Sequence, residues 1–369
     1  MTARLSIRRR VAAYIEPMTD QEARPAVDSL LLVGDVGGTK TDLAVVSTRE
    51  GAHRPLAQQR YASHDYDRLE DVVRAFLARV GLQVNAACFD VAGPVAGGQT
   101  QLTNLPWRLR EPDLARALGL RRVWLINDLV ATAAAIPLLD ADQLVVVQAG
   151  EPLPRGAIAV LAPGTGLGEA FLTFDGARYR AQPSEGGHSA FAPASDLELE
   201  LLRHLWRQYE HVSFERVASG IGIPNLYEFL RDVRGIPESR GLAAALAGND
   251  DRTRPIIDAA TDPASPDPLA EATVELFLHA LGTEAANLAL KVLATGGIYL
   301  AGGLAQRLRD RLPASGFLEA MRRSGRFRST LERVPIAIVK GDVALLGVAS
   351  EGLRLLEAEL GPEEAMAFA

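Results

Sequence analysis

Sulfur chemistry is nearly absent from this chain: among 369 residues there is a single cysteine, Cys88. One thiol closes no disulfide within the chain and cannot build a cysteine-ligated zinc site, which fits a reducing, cytoplasmic setting. Positive charge is also in deficit. Lys and Arg number 39 against 46 Asp and Glu, a formal net charge of −7, whereas a nucleic-acid surface calls for a basic patch. No apolar run approaches the roughly 18 residues that a membrane span needs. None near the start reaches the ~7–15 apolar residues of a secretory signal. Nucleic acid and membrane are therefore not expected partners. Residues 1–28, with Arg8-Arg9-Arg10, read as a loosely ordered extension. What the sequence does have is hydrophobic mass, 48%, and a length that suits two domains of ordinary size.

Its glycines carry most of the local information. Gly34-Asp35-Val36-Gly37-Gly38-Thr39-Lys40-Thr41 follows the apolar run Leu30-Leu31-Leu32-Val33. This falls one residue short of a Walker A loop, which needs glycine where Thr39 stands and which opens a helix. Here Leu43-Ala44-Val45-Val46-Ser47 follows instead, so a second strand is predicted and the glycine pair becomes a hairpin turn. An aspartate at a strand end, two glycines and a hydroxyl suit a Mg²⁺-nucleotide site of another kind. Asp35 also has the plainer reading of a turn-initiating residue. Gly164-Thr165-Gly166-Leu167-Gly168 lies between predicted strands over 157–161 and 170–174. A dinucleotide fingerprint would open a helix there and is disfavoured. Glu169, directly after these glycines, reads as a solvated carboxylate.

The order of elements predicts an α/β protein. Strands are expected over 30–33, 43–47, 86–92 and 123–126, with a helix over 69–77 and a small-residue helix over 131–136. From Pro137 onward strands recur over 144–147, 157–161 and 170–174, followed by a helix over 197–209. Residues 247–268, rich in Asp, Pro and Ala, read as a surface connection. A long helix over 268–293 follows, then a strand over 298–300 that runs into Ala301-Gly302-Gly303. Domains are expected over 29–137 (small) and 138–343 (large), each with a central sheet, with a helical tail from 344 to 369 returning to the first. Asn127-Asp128 ends a buried strand, and by residue type Asp128 suits a helix N-cap. Glu185 and His188 flank Gly186-Gly187 and cannot share a regular helix face; one histidine without a cysteine nearby is also a poor metal site.

Seven stretches in this order resemble the bacterial glucokinase family, within the actin/hexokinase superfamily of ATPases. They are Gly34-Asp35-Val36-Gly37-Gly38-Thr39, Thr103-Asn104 with Trp107, Ile126-Asn127-Asp128, Gly164-Thr165-Gly166-Leu167-Gly168, Glu185-Gly186-Gly187-His188, His211 through Val217, and Ala301-Gly302-Gly303. The resemblance runs from about residue 31 to about 355. It implies a two-domain actin-like ATPase (ribonuclease H-like) fold, a mixed sheet in each domain and a cleft between them. It implies ATP and Mg²⁺ as cofactors and a small-molecule sugar as acceptor, and it is compatible with a homodimer.

Carried over residue by residue, the resemblance makes Asp35 a Mg²⁺ ligand acting through water. Gly37, Gly38, Thr39, Lys40, Gly164, Thr165 and Gly166 face the phosphates, and Gly302 and Gly303 face the adenosine. Lys40 departs from the asparagine of some members and either adds charge near the γ-phosphate or points to solvent. Asp128 becomes the base that takes the proton of the sugar 6-hydroxyl, and Asn104, Asn127, Glu185, His188 and Glu215 hold the sugar. Three carboxylates around one small ligand suit a neutral polyol. A site built for a hydroxyl rejects an analogue lacking it by roughly 10⁴–10⁵-fold. The related ROK kinases and repressors share the Gly-Gly-Thr-Lys start but carry a cysteine-rich zinc motif that is missing here. The expected reaction is phosphorylation of glucose at the 6-hydroxyl. A kinase for another neutral hexose or amino sugar, or a sugar-sensing regulator without catalysis, are the alternatives.

Overall fold

The computed structural model describes residues 28–102 and 105–366. The expected N-terminal extension up to residue 27 lies outside the described residues, as do Thr103 and Asn104. The described chain forms two compact units, the first of residues 28–140, 177–183 and 341–366, the second of residues 141–176 and 184–340.

In the first unit, β1 (Leu30–Val36), β2 (Lys40–Ser47), β3 (Ala57–Ala62), β4 (Ala86–Val91) and β7 (Arg122–Asn127) form one mixed sheet in the order β3-β2-β1-β4-β7. A two-stranded hairpin, β5 (Gln99–Gln101) with β6 (Arg108–Arg110), stands apart. β1 and β2 are antiparallel, while β1, β4 and β7 run parallel. The continuous apolar run of β1 follows from helices covering both faces of the sheet. Side chains alternate along a strand, so Leu32 and Val36 pack with Val72 and Phe76 of helix Leu69–Val80. Leu31 and Val33 pack instead with Val348, Ala349 and Leu353 of helix Ala344–Met366.

The second unit repeats this plan with β8 (Leu144–Gln148), β9 (Ile158–Pro163), β10 (Leu167–Phe174), β12 (Gly297–Leu300) and β13 (Ile336–Val339) in the order β10-β9-β12-β13-β8. β11 (Tyr179–Ser184) leads the chain from the first unit back into residue 184. Helix Pro268–Val292 lies along the core; Asp267 caps it by accepting from the N–H groups of Leu269 and Ala270, and Pro268 sits where a missing N–H costs nothing. The surface connection expected over 247–268 is a correction: it contains helix Thr253–Thr261, whose Ile256, Ile257 and Ala260 are buried. Its Asp and Pro flank one apolar face, and composition alone hid that spacing. The fold class is α/β, with two mixed sheets flanked by helices. Among the described residues no helix is long and apolar enough to cross a membrane.

Helix Ala344–Met366 crosses helix Asp128–Ala135 at very short range. A Cβ on Gly347 would stand 1.7 Å from the carbonyl oxygen of Ala131. Replacing a helical glycine by alanine ordinarily stabilises by about 1 kcal/mol, but here the methyl meets backbone that cannot rotate away. Gly347→Ala is expected to destabilise by about 1–3 kcal/mol or more through overpacking, read as a lower Tm in thermal unfolding. An unchanged or raised Tm would mean that the helices are not in this register.

Candidate active site

In the first unit the β1–β2 connection is the expected hairpin. Gly37 N–H donates to Lys40 O at 2.9 Å, and Ser63 secures the turn by donating from Oγ to Gly37 O and from its N–H to Thr39 O. Asp35 and Asp42 face each other across the hairpin register. Lys40 is neither turned to solvent nor free. Its Nζ lies 3.6 Å from Asp35 Oδ2 and 3.3 Å from Asp42 Oδ2, and it hydrogen-bonds Asp342. Arg60 grips Asp42 with a fork of bonds at 2.8–3.1 Å. Burial, then the Asp342 charge, raises the Asp35 pKa, and Lys40 opposes them. Asp90 pairs with Asp35 between β1 and β4 and is wholly buried. Its Oδ1 accepts from the N–H of Val36, and burial pushes its pKa well up.

The end of β7 runs straight into helix Asp128–Ala135. The N-cap expected at Asp128 is Asn127 instead. Asn127 Oδ1 accepts from the N–H groups of Leu129 and Val130 at 3.0 and 3.2 Å, while its Nδ2 donates to Gly93 O. Both residue types cap well, and the strand continues one residue further than its apolar run. Asp128 becomes the first residue of the helix, accepting from Leu129 N–H at 2.9 Å. Its side chain reaches solvent, yet enough protein surrounds the carboxyl that desolvation raises its pKa to about 6, against the pull of the Leu129 N–H.

In the second unit, Gly164-Thr165-Gly166 closes an antiparallel β9–β10 hairpin, with Gly164 N–H donating to Gly166 O. The N–H groups of Gly220 and Ile221 donate to the carbonyls of Gly164 and Thr165. Glu215 ties this hairpin to a second loop. Its Oε2 accepts from Leu167 N–H at 3.1 Å, and its Oε1 lies 3.7 Å from His188 Nδ1. On its other side His188 Nε2 is 3.8 Å from Glu185 Oε2. Residues 186–188 form a single 3₁₀ turn, and the bonds Phe191 N–H to Val212 O and Phe214 N–H to Ser189 O bring the loop beside Glu215. Glu185, His188 and Glu215 thus converge, as do Gly164, Thr165 and Gly166. Gly302 begins helix Gly302–Arg307 at φ +81, and Gly303 follows it with open space beside its Cα. Asn104 lies outside the described residues.

Sequence reasoning missed four participants. Asp42, Arg60 and Asp342 enter only through side-chain reach, although a charged residue inside the otherwise buried strand β2 was a visible signal for Asp42. The fourth is Glu169, whose expected solvated state is wrong. It is 2% exposed and points into the protein against the carboxyl of Glu284, with no other hydrogen-bond partner among the described residues.

Comparison with known proteins gives one consistent answer. The glucokinase family model matches residues 32–353. The glucokinase of Nostoc punctiforme is 39% identical over 348 residues, 89% of this chain and 100% of that protein. The crystal structure of a glucokinase from an Antarctic psychrotroph is 33% identical and superposes with a TM-score of 0.77, covering 89% of this chain and 99% of that one. A ROK family glucokinase from Streptomyces griseus, solved with glucose and AMPPNP, shares the fold at 20% identity and a TM-score of 0.58, with 89% and 100% covered. On the family match and the extent of identity, the chain belongs to the glucokinase family of ATP-using kinases.

Proposed function

We propose that this chain transfers the γ-phosphoryl group of ATP to the 6-hydroxyl of D-glucose with Asp128 as the general base. The observation that carries the assignment is the state of Asp128: a solvent-accessible carboxyl, fixed at a helix start, with a pKa of about 6. Such a group is ionised at neutral pH yet basic enough to accept a proton, which is what a general base requires. As the 6-oxygen attacks, the bond from that oxygen to the γ-phosphorus forms and the bond from phosphorus to the departing ADP oxygen breaks. The hydroxyl proton passes to an Asp128 carboxylate oxygen. Phosphoryl transfer otherwise rests on positioning and charge neutralisation.

The proposed sugar ligands are Glu185, His188 and Glu215, whose side chains meet at separations too long for direct hydrogen bonds and therefore leave polar valences for hydroxyls. Asn127 gives its carbonyl oxygen to two helix N–H groups, so its main part is to fix the Asp128 backbone. The amides of Gly37, Gly38, Thr39, Gly164, Thr165 and Gly166 are proposed for the phosphates, and Gly302 and Gly303 for the adenosine side. Mg²⁺ fits the donor set: carboxylate oxygens of Asp35, Asp42 and Asp342 lie within 4.8 Å of one another, the hard oxygen type this ion takes. With Asp42 committed to Arg60, Asp35 is the residue that would hold it, directly or through water. Bound there with ATP, the ion supplies charge neutralisation at the phosphates. Lys40 is proposed to exchange its carboxylate partners for a phosphate oxygen. The buried thiol of Cys88 accords with a cytoplasmic site of action.

Release of ADP against a panel of hexoses tests the reading. Asp128→Asn should lower kcat by about 10²–10⁴-fold, the range of a general base, with a small change in the KM for glucose. Turnover near wild type would remove Asp128 from this role, and no ADP with any hexose would overturn the kinase reading. In the wild type, kcat/KM for glucose should fall as pH drops through about 6, because protonated Asp128 cannot accept the hydroxyl proton. A flat profile from pH 5 to 8 contradicts the assignment. Lys40→Ala removes one charge-assisted hydrogen bond, about 1.5–3 kcal/mol. It should raise the KM for ATP roughly ten-fold or more while the KM for glucose holds.

A further inference from the structure

Directly beneath the loop that carries Glu185 and His188 lie two carboxyl groups that the mechanism above does not use. Glu169, on β10, is 2% exposed, and Glu284, on helix Pro268–Val292, is 0% exposed. Apart from the contact between the two carboxyls themselves, three of their four oxygens, both of Glu169 and Oε1 of Glu284, have no hydrogen-bond partner among the described residues. The fourth, Glu284 Oε2, accepts from Asn287 Nδ2 at 2.9 Å. The nearest positive charge is Lys291, on the same helix, whose Nζ is 3.8 Å from Glu284 Oε1 and whose side chain is 56% exposed. On the other side Glu169 presses against the loop: a Cβ on Gly186 would stand 2.0 Å from Glu169 Oε2 and 3.1 Å from Ser184 Oγ. Only glycine lets the backbone approach that carboxyl so closely.

Two adjacent carboxylates in a dry interior cannot both stay ionised. One cation serves this pair, and its ammonium lies against Glu284, acting on Glu169 only from further off. Glu169 has no cation in contact among the described residues and faces the Glu284 carboxyl, so it is the member that keeps a proton at neutral pH. We propose that Glu169 is a positioning residue for sugar binding: with Glu284 it forms a buried pair carrying one proton, and the loop from Glu185 to His188 rests on the neutral Glu169 carboxyl. This rests on the reading of that loop as part of the glucose site.

Burial, then the neighbouring Glu284 charge, raises the Glu169 pKa to about 8, and burial raises that of Glu284 as well. The groups facing the pair are Lys291 and Asn287 from the helix, Ser184 and Gly186 from the loop side, and no further cation among the contributors to its charge balance. Glu185 and His188 belong to the loop itself, and Glu215 reaches the same hairpin from beyond Gly166. Loss of the last proton above pH 8 sets two like charges side by side. The Glu169 carboxyl lies against Gly186, so movement away from Glu284 on that side displaces Glu185 and His188. Glucose binding, which needs both residues in place, then competes with ionisation of Glu169 and draws a proton back onto it.

The test is the pH dependence of the KM for glucose between pH 7 and 9 at saturating ATP. In the wild type it should rise by about three- to ten-fold, with kcat changing less, as linkage to one ionisation requires. Glu169→Gln keeps the shape without a proton to lose and should make the KM independent of pH across this interval. Calorimetry of glucose binding without ATP, in two buffers of different ionisation enthalpy at pH 8, should find proton uptake by the wild type and none by the variant. If the variant does not fold, proton uptake by the wild type still decides. A flat wild-type KM, no uptake, or an equal rise in Glu169→Gln would overturn the proposal. The fall of kcat/KM near pH 6 belongs to Asp128 and is read separately, so a failure here leaves the assignment of the base standing.

Discussion

Desolvation of carboxyl groups is the constraint on which the chemistry of this protein depends. A carboxylate loses much of its hydration when strands and helices close around it, and it then needs a cation, an N–H donor or a proton. Each solution occurs here. Asp42 takes the guanidinium of Arg60. Asp35 has the ammonium of Lys40 nearby, and Asp90 has the Val36 N–H and the Asp35 carboxyl, no cation, and keeps a raised pKa. Asp128 has a helix N–H and partial contact with water, which leaves it poised near pH 6. These environments differ although Asp35, Asp42 and Asp90 lie side by side in the sheet register, because Asp90 is on the inner strand β4, Asp42 faces Arg60 of the edge strand β3, and Asp128 lies beyond the end of β7 at a helix start. One short stretch of sheet and the helix start after it thus hold carboxyls in a cation-paired, a wholly buried and a solvent-accessible state.

The packing that creates these environments is nonlocal. β1 is buried on both faces because helix Leu69–Val80 covers one and helix Ala344–Met366, from the far end of the chain, covers the other. The second helix also crosses helix Asp128–Ala135 at a distance only glycine permits, so it fixes the turn of backbone that bears Asp128. The position of the Asp128 carboxyl therefore depends on packing residues some two hundred positions later in sequence.

This distribution explains what could be read in advance. The hairpin at Gly37 and Gly38 was legible because β-branched residues follow it at once, a local signal that outweighs the near-match to a Walker loop. The glycine turn at 164–166 was legible because apolar strand-like runs flank it on both sides. The family resemblance was legible because it is a property of ordered short motifs. The cap at the start of helix Asp128–Ala135 was misassigned by one residue, since Asn127 and Asp128 are equally good caps and only the length of β7 decides between them. Glu169 was misread more seriously. Its position two residues after Leu167 on β10 puts it on the same buried face, but a carboxylate in that register is expected to turn outward unless something inside receives it. The receiving group, Glu284, lies in a helix that nothing near Glu169 in sequence announces. The Lys40 contacts with Asp342 were illegible for the same reason.

Two of the carboxyls that titrate above their ordinary range, Asp128 and Glu169, tie the stability of the fold to pH. For Asp128 the folded pKa of about 6 exceeds the ordinary 3.8, and for Glu169 about 8 exceeds 4.5. Between each pair of values the folded state binds more protons than the unfolded one, so stability falls as pH rises through that window. Asp128 has lost its contribution by about pH 6, and Glu169 loses its own progressively up to about pH 8. At neutral pH the fold thus carries an ionised Asp128 that burial opposes and a neutral Glu169 that burial favours. An amide in either position would relieve the pH dependence without changing the shape. In its proposed role Asp128 must be able to lose its proton, whereas the shape at 169 demands only a neutral group. A carboxyl there differs from glutamine in one respect, that its proton can leave, and this makes the support beneath the loop responsive to pH.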